Sequence, residues 1–158
     1  MDRRRFFGEA KTPPLYIFDG EQDGSHLLGD FKAKDQKGRS YFQNRELMVS
    51  PNGWLELNVY FYLGTSTNPQ PIDTSKYTKL CLLGRSEDYA GTKARFGLSQ
   101  MGGVLFSGYV TVERSNTDTL YEVDISNRTS GFPAFYVPES QYAEYPPPDV
   151  HCKKIWLE

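Results

Sequence analysis

Residues 54–63, Trp-Leu-Glu-Leu-Asn-Val-Tyr-Phe-Tyr-Leu, decide the fold class because apolar side chains occupy every second position. One alternate set is Leu55, Leu57, Val59, Phe61 and Leu63. The other set is Trp54, Glu56, Asn58, Tyr60 and Tyr62. A period of two puts the two sets on opposite faces of a β-strand, and it does not fit the apolar stripe of a helix. The stretch therefore predicts a strand with the first set facing a core.

Similar short segments follow one another along the rest of the chain. In residues 93–99 the inward set is Ala94, Phe96 and Leu98, and the outward set is Lys93, Arg95 and Ser99. Further strand-like segments span 15–19, 27–34, 41–49, 77–83, 104–114, 120–126, 133–137 and 151–157. Turn signals separate them, among them Ser50-Pro51-Asn52-Gly53. The pattern predicts an all-β protein, a two-sheet antiparallel β-sandwich of jelly-roll type with about nine or ten strands.

Composition agrees with one such domain. The chain has 158 residues, of which 15% are aromatic, with 14 Gly and 10 Pro, a balance typical of many short strands joined by turns. We expect an N-terminal arm over residues 1–14 and a single β-sandwich domain over residues 15–158. The net charge of −2 offers no general attraction to nucleic acid, so no nucleic-acid partner is expected.

The first residues of the chain are basic and then apolar. Arg3, Arg4 and Arg5 precede Phe6 and Phe7. This composition suits docking on a partner, and the alternative is a disordered terminus without such a role. No apolar core of a signal peptide follows, and no apolar run approaches the roughly 20 residues of a membrane span. We expect a chain that is made in the cytosol, with no membrane insertion, and that leaves it only within an assembly or by lysis.

Groups suited to catalysis are few. A catalytic triad would have to use His26 or His151, the two histidines of the chain. Gly97-Leu98-Ser99-Gln100-Met101 begins like a nucleophile elbow but has Met101 where the second glycine belongs. The outward strand carboxylates Glu56, Glu113 and Glu122 do not single out a glycosidase pair. The chain is therefore predicted to be no enzyme and to need no cofactor.

Two features concern metals and thiols. Asp19, Glu21, Asp23 and Asp30 approach the spacing of a calcium loop, but Glu21 is long for its position and Leu27 stands where another ligand belongs. An ordinary acidic turn is the favoured interpretation. Cys81 and Cys152 are too few for a disulfide framework, and we expect free buried thiols, with their pairing left open.

The second set of residues 54–63 forms the most specific constellation. Flat aromatic faces bind the C–H patches of sugars, and amides or carboxylates bind sugar hydroxyls, so Trp54, Glu56, Asn58, Tyr60 and Tyr62 suit a glycan-binding stripe. Tyr109 and Tyr136 add to the aromatic stock, whereas Tyr121 is expected to point inward with Val123 and Ile125. A subunit interface and cover by another part of the same chain are the two alternatives.

Five segments of the chain carry a resemblance to known proteins when they are taken together. They are residues 1–5 (Met-Asp-Arg-Arg-Arg), 15–19 (Leu-Tyr-Ile-Phe-Asp), 77–83, 120–126 and 150–158. As a set, spread over most of the chain, they resemble β-sandwich appendage proteins encoded by phages and prophages of Gram-positive gut bacteria. The resemblance implies a non-enzymatic bacteriophage virion structural protein of a tail, baseplate or capsid, with a jelly-roll module similar to a carbohydrate-binding module. It assigns no functional residue.

The partners that this resemblance implies are other virion proteins or further copies of the chain, with a trimer as one homo-oligomer, and host-surface glycan. It places the mature protein in the virion. A stand-alone carbohydrate-binding module is the alternative function, and a glycan hydrolase is a minor one.

Overall fold

The computed structural model describes residues 12–87, 93–100, 105–106, 108–138 and 147–158, and regular structure within these ranges consists of β-strands. The thirteen strands assigned there are β1 (Leu15–Asp19), β2 (Lys32–Lys37), β3 (Arg39–Gln43), β4 (Glu46–Ser50), β5 (Leu57–Gly64), β6 (Pro69–Gln70), β7 (Ile72–Asp73), β8 (Lys79–Arg85), β9 (Arg95–Ser99), β10 (Val110–Thr111), β11 (Thr119–Asp124), β12 (Ser130–Val137) and β13 (Val150–Leu157). In this part of the chain there is no helix of the length and apolar character that a membrane span requires.

The strands form two antiparallel sheets. The six-stranded sheet has the order β11-β8-β13-β4-β3, and β1 also pairs with β13. The seven-stranded sheet has the order β10-β9-β12-β5-β2, with β6 on β5 and β7 on β12. Most neighbours in each sheet are distant in sequence, as in a sandwich whose connections cross between sheets. The predicted all-β sandwich is confirmed.

The core lies between the two sheets and contains the first alternate set of residues 57–61. Leu57, Val59 and Phe61 are fully buried there. The Phe135 ring lies 4.9 Å from that of Phe96 and 6.3 Å from that of Phe61, measured between centroids. The six-stranded sheet contributes Leu80, Leu82, Val150, Ile155 and Leu157. Ala94, Phe96 and Leu98 point inward, as the alternation of residues 93–99 predicts.

Strand bounds differ from the sequence prediction at several places, and the predicted segment 27–34 is observed as β2 at Lys32–Lys37. The predicted segment 41–49 is a hairpin of β3 and β4, because Asn44 and Arg45 adopt left-handed φ angles of 52° and 64° and reverse the chain. The long strand begins at Leu57, since the Trp54 amide donates to the Pro51 carbonyl at 3.0 Å and keeps residues 51–54 in a turn. Of the predicted segment 104–114, the described strand is β10 alone. These splits and the two-residue strands raise the strand count above the prediction.

The aromatic core predicts a large difference between buried and exposed truncations. Phe135→Ala is expected to lower the free energy of unfolding by about 3–5 kcal/mol, because the ring is fully buried between two others. Leu120→Ala, on the exposed side of β11, is expected to change it by less than about 0.5 kcal/mol. Urea unfolding midpoints measure both, and equal costs for the two variants would contradict this packing.

Candidate functional site

The face of the seven-stranded sheet that points away from the core, here called the outer face, is ordered by cross-strand register. Asn58 on β5 pairs with Lys37 on β2 and with Tyr136 on β12, and Tyr136 pairs with Arg95 on β9. In the next row Tyr60 pairs with Lys34 and Ala134, and Ala134 pairs with Gly97. Directly opposed residues have Cβ atoms about 5 Å apart, so these side chains are neighbours on one surface.

The middle of the outer face is a second apolar cluster, separate from the core. It consists of Tyr60, Tyr62, Leu105, Phe132 and Ala134, with Tyr136 packed against them. The Tyr60 ring meets Phe132 edge-on at 5.3 Å and lies 6.0 Å from Tyr62. Burial raises the pKa of the Tyr60 hydroxyl, with a smaller contribution from neighbouring Tyr62. This part of the face is a packed layer.

The predicted stripe of residues 54–62 is therefore not one continuous exposed surface. Tyr60 and Tyr62 are only 6% and 3% exposed, and Asn58 is also buried. For these three residues the burial agrees with the second of the two alternatives, cover by another part of the same chain. The physical reason is that both faces of β5 are buried, so the alternation separates two apolar layers instead of an apolar and a wet face. Whether the five residues bind a ligand stays a prediction.

One margin of the outer face is formed by Trp54, which is 48% exposed. The Lys37 ammonium lies 4.0 Å from the centroid of the Trp54 ring and 3.7 Å from a Glu56 carboxylate oxygen. A bulge between Asp35 and Lys37 shifts the register of β2, and this brings Lys37 opposite Asn58. Trp54 and Glu56 of the predicted stripe thus lie at this margin, held together by a cation that the sequence prediction did not include.

The other margin is formed by Tyr109, which is 39% exposed and immediately precedes β10. The Arg95 guanidinium carbon lies 5.0 Å from the centroid of its ring. The Tyr109 backbone passes so close to Gly97 that a Cβ atom there would be 2.9 Å from the Tyr109 Cβ. Glycine at this position therefore allows the segment with Leu105 and Tyr109 to lie on the outer face.

Together these side chains make a line across the sheet that we call the aromatic-cationic row: Trp54, Lys37, Asn58, Tyr136, Arg95 and Tyr109. Three aromatic rings are interleaved with two cations and an amide. From β2 to β9 the row crosses three strand spacings, on the order of 14 Å. At its two margins the row presents a flat apolar ring beside a cationic donor, which suits a ligand that is both ring-shaped and polar.

The comparisons with known proteins concern the fold. No protein-family model matches the chain, and no curated protein matches it. Among solved structures it is similar to a family 29 carbohydrate-binding module from Piromyces equi, with a TM-score of 0.60 and 11% identity over 92% of this chain and 89% of that one. A variant of a family 29 module prepared to probe ligand recognition gives a TM-score of 0.64 at 10% identity, covering 92% and 84%.

A third similar structure is a family 86 module from Roseburia intestinalis, described as a low-affinity xylan-binding module. Its TM-score is 0.50 at 12% identity, over 82% of this chain and 96% of that one. At such identities the likeness establishes the architecture alone. The chain has the β-sandwich fold of carbohydrate-binding modules.

The acidic loop uses its carboxylates within the protein. Asp19 accepts from the Glu21 amide at 3.0 Å, and Asp23 accepts from the amide and hydroxyl of Ser25. Glu21 pairs with Lys154 at 3.0 Å, and Lys154 lowers the pKa of its carboxyl. Asp30 is exposed. Across the described ranges no three His, Cys, Asp or Glu side chains are grouped so that they could hold a metal ion. This geometry favours the acidic turn.

The serine and histidine side chains that a hydrolase would need are far apart in the fold or bonded to other groups. Ser99 is fully buried, and its hydroxyl donates to the Phe132 carbonyl at 3.2 Å. His26 is exposed beside Asp23 at 3.2 Å, whereas His151 lies on the six-stranded sheet. A nucleophile-histidine pair is therefore not assembled from Ser99 and either histidine.

The outer surface of the six-stranded sheet carries an ion network around Arg85. This guanidinium pairs with Glu46, with Glu87 at 2.8 Å and with Asp118 at 3.0 Å. Its hydrogen bond lowers the pKa of the Glu87 carboxyl. His151 lies 3.9 Å from Glu46 across the same network. Because one guanidinium pairs with three carboxylates, the network has an excess of negative charge. We interpret it as a structural link between neighbouring strands.

Two further predictions concern the chain ends and thiols. The arm residues Arg3, Arg4, Arg5, Phe6 and Phe7 lie outside the described residues, so their docking role stays a prediction. Cys81 and Cys152 are free and buried, in agreement with the expected thiols. They lie on neighbouring strands, but Cys81 pairs with Trp156 and Cys152 with Gly84, so they do not face each other.

The thiol environment predicts slow labelling. Burial raises the pKa of Cys81 to about 12 and raises that of Cys152 well above its usual range. At pH 8 only about one Cys81 side chain in ten thousand is then a thiolate, which is the reactive form. A disulfide reagent should label the native protein slowly and both thiols quickly in guanidinium chloride. Single Cys81→Ser and Cys152→Ser variants assign the signals, and rapid native labelling of either thiol would contradict its burial.

Proposed function

We propose that this chain is a non-catalytic glycan-binding module whose ligand lies along the aromatic-cationic row. The observation that carries the proposal is the row itself, in which the rings of Trp54, Tyr136 and Tyr109 stand in line with Lys37, Asn58 and Arg95. Support comes from the fold, which the chain shares with carbohydrate-binding modules. This proposal corresponds to the stand-alone carbohydrate-binding module of the sequence analysis.

The chemistry of the row suits sugars better than a purely apolar ligand. The C–H faces of a sugar ring pack on an aromatic side chain, while its hydroxyls need hydrogen-bond partners. Lys37 and Arg95 lie 4.0 Å and 5.0 Å from the centres of the two most exposed rings and supply donors there. Both margins of the row thus combine one ring with one cation.

The rigidity of the row also favours binding. Asn58, Tyr136 and Arg95 project from three adjacent paired strands, so their spacing is set by main-chain hydrogen bonds. The packed cluster of Tyr60, Tyr62 and Phe132 adjoins them. Side chains that are already ordered lose less conformational freedom when a ligand binds.

Catalysis is not supported by the row. Glu56 adjoins the row and is paired with Lys37 at 3.7 Å. Glu113, farther along the outer face, is paired with Lys93 at 2.6 Å, an interaction that lowers the pKa of its carboxyl. A glycosidase needs two carboxyl groups that face each other across the scissile bond, one of them with a raised pKa.

Truncating the exposed rings tests the proposal. Trp54→Ala and Tyr109→Ala should each weaken binding of a polysaccharide selected on a broad glycan array, by about fivefold, since one stacked ring contributes on the order of 1 kcal/mol. Isothermal titration calorimetry measures the dissociation constants.

A matched control is Phe42→Ala, which removes a ring of similar exposure, 38%, from the six-stranded sheet. It should leave affinity unchanged. Equal affinities for the wild type and both row variants would place the ligand elsewhere, and a wild-type protein that is silent on the whole array would contradict glycan binding.

The virion role is a finer proposal that rests on the sequence resemblance and on the composition of residues 3–7. On this view the glycan-binding module is an appendage of a phage particle, and the basic-apolar arm docks it to a neighbouring virion protein or to another copy of the chain. The two proposals are compatible, because attachment to a host requires both a docked end and a glycan-binding surface.

Removing the arm tests the docking role. A variant without residues 1–12 should keep its thermal unfolding midpoint, because the arm precedes the first core strand, Leu15–Asp19. It should no longer be incorporated when phage particles assemble, as measured by mass spectrometry of purified virions. Normal incorporation of this folded variant would contradict docking through the arm.

A further inference from the structure

The outer face carries a charge opposite to that of the whole chain. On the strands of this sheet and the segments that adjoin them, five cations project from it: Lys32, Lys34, Lys37, Lys93 and Arg95. Three carboxylates project with them: Glu56, Glu113 and Asp73, the last on β7 opposite Ser130. These described residues leave an excess of two positive charges on a protein whose net charge is −2.

Register explains why the lysines of β2 collect there. Lys32 pairs with Tyr62 and Lys34 with Tyr60, so both lie on the outer side, while Ala33 between them packs against the core. Asp35 pairs with Val59 and lies on the same side as Ala33, and its carboxylate accepts hydrogen bonds from the amide and hydroxyl of Ser40. The bulge then returns Lys37 to the outer face. Strand β2 thus directs its cations to one face and its carboxylate away from it.

The opposite surface of the sandwich carries an acidic cluster. The network on the six-stranded sheet places Glu46, Glu87 and Asp118 around the single guanidinium of Arg85. The acidic cluster around Arg85 and the aromatic-cationic row therefore lie on opposite faces of the sandwich. Such an asymmetry draws a polyanion to one face and raises its rate of association.

We infer that the ligand of this face is an acidic glycan, a sugar polymer that bears carboxylate groups. The inference rests on the proposed glycan-binding function and names its ligand class. A sugar ring packed on Trp54 or Tyr109 places its substituents beside Lys37 or Arg95, 4.0 Å and 5.0 Å from the ring centres. A charged hydrogen bond from ammonium or guanidinium to carboxylate is about twice as strong as one between neutral groups.

Lys34 separates this inference from simple stacking. Lys34 pairs with Tyr60 and therefore lies one row away from the pair of Lys37 and Asn58. A carboxylate on a sugar that follows the row comes within reach of its flexible side chain, whereas a neutral sugar gains little from it. Its charge should therefore matter for acidic ligands alone.

The test compares acidic polysaccharides with neutral forms of the same backbone. The probes are polygalacturonate, alginate and hyaluronan, each with its carboxyl-reduced counterpart, measured by calorimetry against the wild-type protein. We expect at least one acidic form to bind about tenfold or more tightly than its reduced form at about 50 mM salt, and to lose most of this preference at about 500 mM.

Variants assign the preference to the face. Lys34→Glu should weaken binding of the acidic form about tenfold and leave the reduced form unchanged. Lys76→Glu makes the same change of net charge at an exposed turn beside Lys79 and Glu158, away from the row, and should have little effect. Trp54→Ala should weaken both forms of the polymer alike.

The outcomes separate the two proposals. Equal affinity for acidic and reduced forms, or a Lys34→Glu effect no larger than that of Lys76→Glu, would overturn the acidic-ligand inference while glycan binding stands. Binding of neutral array glycans alone would do the same. If the protein binds none of the six polymers and nothing on a broad array, the proposed function itself fails.

Discussion

The pairing of β5 with β12 at the centre of the seven-stranded sheet is the constraint on which the rest of the structure depends. Val59 and Phe135 are directly opposed on the core side, and Tyr60 and Ala134 are opposed on the outer side. Both pairs are buried, so these strands separate two apolar layers. A slip of one residue would exchange the layers and move Tyr60 into the core beside the rings of Phe61, Phe96 and Phe135. The register is thereby fixed from both faces.

That fixed register also builds the candidate site. Because β2, β5, β12 and β9 are locked side by side, Lys37, Asn58, Tyr136 and Arg95 stand in one row without help from any loop. Turns add only the outermost rings, Trp54 and Tyr109, and each is held against a cation of the sheet. Sites built on strands keep their geometry better than sites built on loops, which is what a surface for an extended ligand needs.

Much of the fold was predictable from residues 54–63 and 93–99, since alternation identifies the core side of a strand. The same alternation failed for the site. Leu next to Tyr suggests inside next to outside, but Tyr60 and Tyr62 are buried too, because Leu105 and Phe132 join them in a second layer that forms only in three dimensions. Lys37 was not predictable either, since its position depends on a bulge in β2 that no residue type announces. The Asn44–Arg45 turn likewise lacks the usual glycine.

The outer face is closed in its middle and open at its margins, and this division shapes what it can recognise. Tyr60, Tyr62 and Phe132 satisfy one another, so a ligand meets the rings and charges at the two margins instead of a broad apolar platform. Aromatic stacking contributes a similar free energy for most sugars. The charges beside each ring, in contrast, distinguish an acidic sugar from a neutral one. If this face binds a glycan as we propose, selectivity depends on the cations beside the rings, and the acidic cluster on the opposite sheet favours approach of a charged polymer from this side.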